Sequence, residues 1–143
     1  MTNFKRLGWI LISSCALVLI PFTIHISNKV EGLPFNDDKC DIVMTGSFSP
    51  QDLIKYSTAN TRFICFSTND KKGLVSVLLI KRQGKEKFLV QAYAPILGEI
   101  IDATYPIVGG VVKPAQETTQ VEKLNMDEDM RTRLAPLLKP PKN

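Results

Sequence analysis

The chain has 143 residues, 22% of them charged and 44% hydrophobic, with a formal net charge of +4 and one histidine. That length suits one domain rather than several, and the composition is that of a folded protein rather than a disordered one. A lone histidine, in a chain without Walker, G-x-G-x-x-G or G-x-S-x-G sequences, leaves little from which to build a catalytic centre. No enzyme, no metal site and no cofactor is expected.

The first element is apolar. From Leu7 to Ile26 there are twenty residues without Asp, Glu, Lys or Arg, and all fourteen acidic residues follow them. At 1.5 Å per helical residue such a stretch covers roughly 30 Å, the hydrocarbon thickness of a bilayer. Three readings compete for it. A cleavable signal needs a shorter apolar run and a small-x-small site; cleavage after Ser27 would place His25 at the −3 position, a poor fit. A lipobox is suggested by Ile12-Ser13-Ser14-Cys15. Only six apolar residues precede Cys15, however, and the chain after it stays apolar, so Cys15 reads better as a small residue inside a membrane helix. The residues favour a retained transmembrane helix at 7–26. Lys5 and Arg6 stand on one side, and Lys29 is offset by Glu31 on the other. The positive-inside rule then leaves 1–6 in the cytoplasm and carries 27–143 outside. A bacterial inner membrane, with the domain in the periplasm, is the expected location.

Residues 27–38, "SNKVEGLPFNDD", read as a juxtamembrane linker. The exterior domain is expected over 39–138, with 139–143 a frayed tail. At about 110 residues it can hold one modest core and lies near the size where a staple helps. Setting Cys15 aside, the two exterior cysteines are Cys40 and Cys65. In an oxidising compartment the pair reads as a disulfide, with two buried free thiols as the rival. The spacing is not C-x-x-C, which argues against redox catalysis.

"KCDIVMTG" predicts a strand with Cys40, Ile42 and Met44 on one face. Ser49, Pro50 and Asp52 form a helix-start signature, giving a short helix over 50–58. "TRFICFST" (61–68), "LVSVLLIKR" (74–82) and "KFLVQAYAPI" (87–96) are strands separated by the turns "NDKKG" and "QGKE", an antiparallel meander. The middle strand is apolar on both faces, as a covered central strand or the inside of a closing barrel would be. The stretch 98–113 reads as a strand ended by Pro106, then a buried connection or hairpin at Gly109-Gly110, or an apolar loop for a partner or lipid. "QETTQVEKL" (116–124) is a polar edge strand. In the last element Asn125 can cap a helix with acidic residues in its first turn. Met126, Met130, Leu134 and Leu137 fall on one face, and Pro136 ends or bends it. That stripe suits a lid on the chain's own sheet better than a groove for a partner.

The predicted fold class is therefore α+β: a transmembrane helix followed by a small antiparallel meander or partly closed barrel, with a short helix and a C-terminal helix. Lys71, Lys72, Lys81, Arg82, Lys85 and Lys87 concentrate positive charge on turns and strand ends. They read first as solvated positions and otherwise as contacts for anionic headgroups or an acidic partner; no nucleic acid is expected.

A short N-terminus, one span, a linker, a cysteine just past it in "CDIVMTG" and the meander 61–96 together resemble small inner-membrane proteins of enteric bacteria, the FidL-like and the ToxS and PsaF type of accessory proteins. The resemblance covers the architecture of the whole chain. It implies an exterior domain that binds and stabilises the exterior domain of a membrane-bound transcriptional activator, in some pairs through a shared barrel that senses apolar molecules. Two functions follow as expectations: association with a membrane-protein partner by strand or barrel completion, or a β-barrel holding an apolar ligand among Val75, Val77, Leu79, Phe88, Val90 and Tyr105. A structural role in the cell envelope is the third.

Overall fold

Seven consecutive residues of one strand, Leu74 to Ile80, are buried. Side chains alternate between the faces of a strand, so burial without alternation means that the sheet is covered on both sides. The computed structural model describes residues 32–138. The expected N-terminal segment 1–6, the transmembrane helix 7–26 with Cys15, residues 27–31 of the linker and the tail 139–143 lie outside the described residues. Among the described residues, no helix is long and apolar enough to cross a membrane.

In chain order the elements are β1 (Ile42–Met44), α1 (Asp52–Tyr56), β2 (Thr61–Ser67), β3 (Leu74–Gln83), β4 (Lys87–Ala94), β5 (Glu99–Val108), β6 (Val111–Val112), β7 (Glu117–Val121) and α2 (Glu128–Leu137), with 3-10 turns at Asp37–Lys39 and Lys123–Asn125. The class is α+β. The sheet runs β1-β2-β3-β4-β5, with β6 and β7 both on the outer side of β5. β1 lies parallel to β2, and every other pairing is antiparallel. The meander is thus as expected, but the sheet stays open. β1 ends it on one side and β7 on the other, so the partly closed barrel is not formed.

One face packs Phe63, Cys65, Val77, Leu79, Tyr93 and Ile100 under Met126, Met130, Leu134 and Leu137 of the C-terminal segment. The other packs Ile64, Phe66, Leu78, Ile80, Phe88, Val90 and Tyr105 against Phe48, Leu53 of α1 and Val112 of β6. The methionine–leucine stripe therefore covers the domain's own sheet. A β-bulge sets the phase of β3. Cys65 faces Val77 and Phe66 faces Ser76, but Ser67 faces Leu74, so Val75 is the extra residue. The inserted residue places Leu74 in the same core as Val77 and Leu79, where simple alternation puts it on the opposite face.

The stretch read as linker is docked from Gly32 onward. Leu33 and Leu74 exchange two backbone hydrogen bonds, at 2.9 and 2.7 Å. Phe35 is buried, and the Asn36 amide donates to the Leu137 carbonyl at 2.8 Å. Gly32 and Gly73 make this approach possible, because a Cβ on Gly32 would lie 2.3 Å from the Gly73 backbone. Cys40 follows the first 3-10 turn and is bonded to Cys65 of β2, with Cα atoms 5.9 Å apart. It packs with Val43 on the α2 side, whereas Ile42 and Met44 pack on the other. Cys40 does not share the Ile42/Met44 face, because it belongs to the turn and not to the strand. Asp41 adds a second tie: it accepts from the Phe63 amide at 2.8 Å and lies 3.4 Å from Arg133 of α2.

Both helices stand where the sequence predicts them, but α1 is shorter than the expected 50–58 and the cap of α2 differs. The carboxylate of Asp52 accepts from the Ser49 amide at 2.8 Å, closing the first turn of α1. α2 is capped by Asp127, whose side chain accepts from the Asp129 amide, and not by Asn125, which sits in the preceding 3-10 turn. Both prolines are absorbed. Pro136 lies within α2, which ends at Leu137. β5 runs through Pro106. The Ile107 amide bonds toward Glu86, so by alternation the missing N–H of Pro106 points to the other side. Only the two-residue β6 flanks that position, and the Pro106 carbonyl still accepts from Lys113.

Candidate functional site

The six residues proposed to line one apolar space do not converge. Val77 and Leu79 lie under α2; Phe88, Val90 and Tyr105 lie on the opposite face; Val75 is the bulge residue. Both faces are filled by the domain's own side chains. The basic residues also separate. Lys71 and Lys72 are on the β2–β3 turn, whereas Arg82, Lys85 and Lys87 are at the β3–β4 turn, on the opposite end of the sheet. Arg82 lies over the Phe88 ring at 5.4 Å.

Lys81 is engaged in a polar group that the sequence reading does not include. Its ammonium lies 2.9 Å from Asp127 and 3.0 Å from Asp129, at the start of α2. The buried Gln91 accepts from the Asp127 amide at 2.8 Å and donates to Asp102 at 2.6 Å. Lys81 is held above the ordinary lysine range by its hydrogen bonds to the two carboxylates. For Asp127 burial acts upward, but the Lys81 ammonium and the Asp129 amide outweigh it and leave the carboxyl below its ordinary range. Each carboxylate already has a partner, so the group fastens the N-terminus of α2 to the sheet. Among the described residues no cluster of His, Cys, Asp and Glu could hold a metal ion.

What the fold leaves uncovered is the outer edge of β7. Four of the five residues of β7, Glu117 to Gln120, are exposed. Exposure on consecutive residues means that neither face of this strand is covered. Its hydrogen-bonding directions follow from the register. Ile107 bonds toward β4, so the odd residues of β5 point that way and the even ones point to β7. Asp102 pairs with Thr119, and Ile100 with Val121. Thr118 and Gln120 therefore aim their N–H and C=O groups outward, away from the sheet. The strand carries one charge, Glu117, and no proline or lysine, so it lacks most of the devices that blunt an edge.

Beside it on the same edge stands the β5–β6 hairpin. Gly109 and Gly110 have φ of 60° and 76°, the positive values a two-residue turn of this kind demands. The turn presents Val108 and Val111, 58% and 45% exposed. Gln51, just before α1, donates to the Val112 carbonyl at 2.8 Å and holds the hairpin in place. A polar edge strand with free backbone groups and an apolar tip next to it can pair with an added strand and cover its side chains. The sequence shows the edge strand and the double glycine separately; their adjacency on β5 comes from the fold. Comparison with known proteins gives no match: no protein-family model, curated protein or solved structure is significantly similar to this chain.

Proposed function

We propose that this protein is a membrane-tethered exterior domain that works by binding a partner membrane protein, and that the β7 edge with the Val108–Val111 tip receives a strand of that partner. The observation that carries the reading is the uncovered edge: Thr118 and Gln120 direct backbone groups outward from a strand exposed on both faces. The disulfide between Cys40 and Cys65 supports an oxidising compartment. The apolar stretch 7–26 supports a tether. A partner of the kind implied by the FidL-like and ToxS–PsaF resemblance, the exterior domain of a membrane-bound regulator, suits a binding mode of this type.

Proline at Gln120 tests the reading. It removes an outward donor and leaves the ladder to β5 intact. Proline at Thr119 removes an inward donor instead. When the tagged full-length chain is purified from detergent-solubilised membranes, the wild type is expected to bring down one stoichiometric membrane protein. Gln120→Pro is expected to lower that recovery about tenfold, the effect of about 1.4 kcal/mol, without shifting the thermal midpoint. Recovery unchanged by Gln120→Pro, or no partner with the wild type, would count against the edge as the binding site.

A further inference from the structure

The end of the sheet at which the N-terminal segment joins it is also where exposed apolar side chains gather. Leu33 pairs with Leu74 at the start of β3. In an antiparallel meander that end also holds the finish of β2, the β4–β5 turn and the finish of β7, as the pairs Ser67–Leu74, Ala94–Glu99 and Ile100–Val121 require. The β4–β5 turn carries Ile96 and Leu97, 47% and 59% exposed, and the 3-10 turn after β7 carries Leu124, 75% exposed. Neither turn is loosely held. The Gly98 amide donates to the Ala94 carbonyl at 2.8 Å. Arg131 of α2 donates to the carbonyls of Lys123 and Leu124, each at 3.3 Å.

We propose that this end of the domain rests on the bilayer surface, with Ile96, Leu97 and Leu124 entering the headgroup–acyl boundary. The contact rests on the reading of residues 7–26 as a transmembrane helix. Only residues 27–31 separate that stretch from docked Gly32, and five residues reach at most about 18 Å. The ten residues of β3 extend about 33 Å, so the opposite end of the sheet stands well clear of the bilayer. The tether therefore selects which end meets lipid, and that end bears the three apolar side chains. Lys71 and Lys72 on the β2–β3 turn and Lys123 beside Leu124 are exposed at the same end and can reach phosphates. Asp70, Glu99 and Glu122 share the same end, so the apolar residues carry the contact and its dependence on salt is weak.

Tryptophan fluorescence tests this in the full chain, reconstituted into phosphatidylcholine vesicles whose acyl chains carry bromine as a quencher. The one native tryptophan, Trp9, reports on the tether. In a Trp9→Phe background, Leu97→Trp reports on the proposed contact and Val111→Trp on the far end. The expected result is strong quenching of Trp9 in the wild type, and quenching of Leu97→Trp at least threefold greater than that of Val111→Trp. Quenched Trp9 with Leu97→Trp no more quenched than Val111→Trp would overturn the contact and leave the tether standing. Unquenched Trp9 would overturn the tether, and the contact with it.

Discussion

Replacing both Cys40 and Cys65 by alanine is expected to lower the stability of the domain by about 3.5 kcal/mol, the chain-entropy value for closing a loop of this size. The two residues are 25 apart in sequence and bonded to each other. The bond fastens the N-terminal segment to the middle of β2, in the core beneath α2. For a domain near 110 residues the loss corresponds to a fall in thermal midpoint of roughly 15 °C. Thermal denaturation of the two forms, with and without reductant, checks it. The wild type in reductant should approach the double-alanine variant, while the variant itself should not respond. A difference of only a few degrees would mean that the packing of Leu33, Phe35 and Asn36 holds the segment without the bond.

Met130→Ala is expected to cost about 3 kcal/mol, within the range for removing a large apolar side chain from a core. Met130 is fully buried among Phe63, Leu79 and Leu134. Thr132→Ala, on the exposed side of the same helix, should stay within about 0.5 kcal/mol. Urea denaturation of the two variants compares them directly. Equal and small effects would mean that α2 does not cover the sheet and that its stripe is free to bind something else.

Much of this fold is legible in the sequence because the signals are local. The runs 61–68, 74–82 and 87–96 show β-branched and aromatic residues between turn-forming residues, and the structure has strands over nearly the same spans. The polar stretch 116–124 reads as an edge strand, and Glu117–Val121 of it form one, with Leu124 in the 3-10 turn that follows. The spacing of Met130, Leu134 and Leu137 gives the buried face of α2, whereas Met126, expected on the same helical face, lies in extended backbone before the helix and reaches the same core from there. The features that escape are set by register or by long-range packing. One extra residue at Val75 changes the phase of β3 and separates residues that simple alternation groups together. Gln91, Asp102, Lys81 and Asp127 come from three strands and a helix cap, and no spacing in the chain announces that they meet. Gly32 and Asn36 look like linker because their partners, Gly73 and Leu137, are distant in sequence. Pro106 stays in its strand because its missing donor falls where β5 has little to bond, a matter of which neighbour lies on which side.

The candidate site follows the same division. The disulfide pair is readable once the compartment is inferred, and the structure contains the bond. The proposed pocket is not, because six apolar residues on paired strands can line one space only if they share a face. The open edge is half readable: the polar strand is visible in the sequence, but the outward direction of Thr118 and Gln120 depends on the parity fixed by the β4–β5 pairing.

Photocrosslinking from Gln120 in native membranes tests the central claim most directly. A photoreactive amino acid at this position, irradiated before any detergent is added, should give one discrete adduct with a membrane protein, while the same group at Asp38, exposed on the 3-10 turn that precedes Cys40 and lies across the sheet from β7, gives none. No adduct from Gln120, or equal adducts from both positions, would contradict the assignment of β7 as the surface that receives the partner.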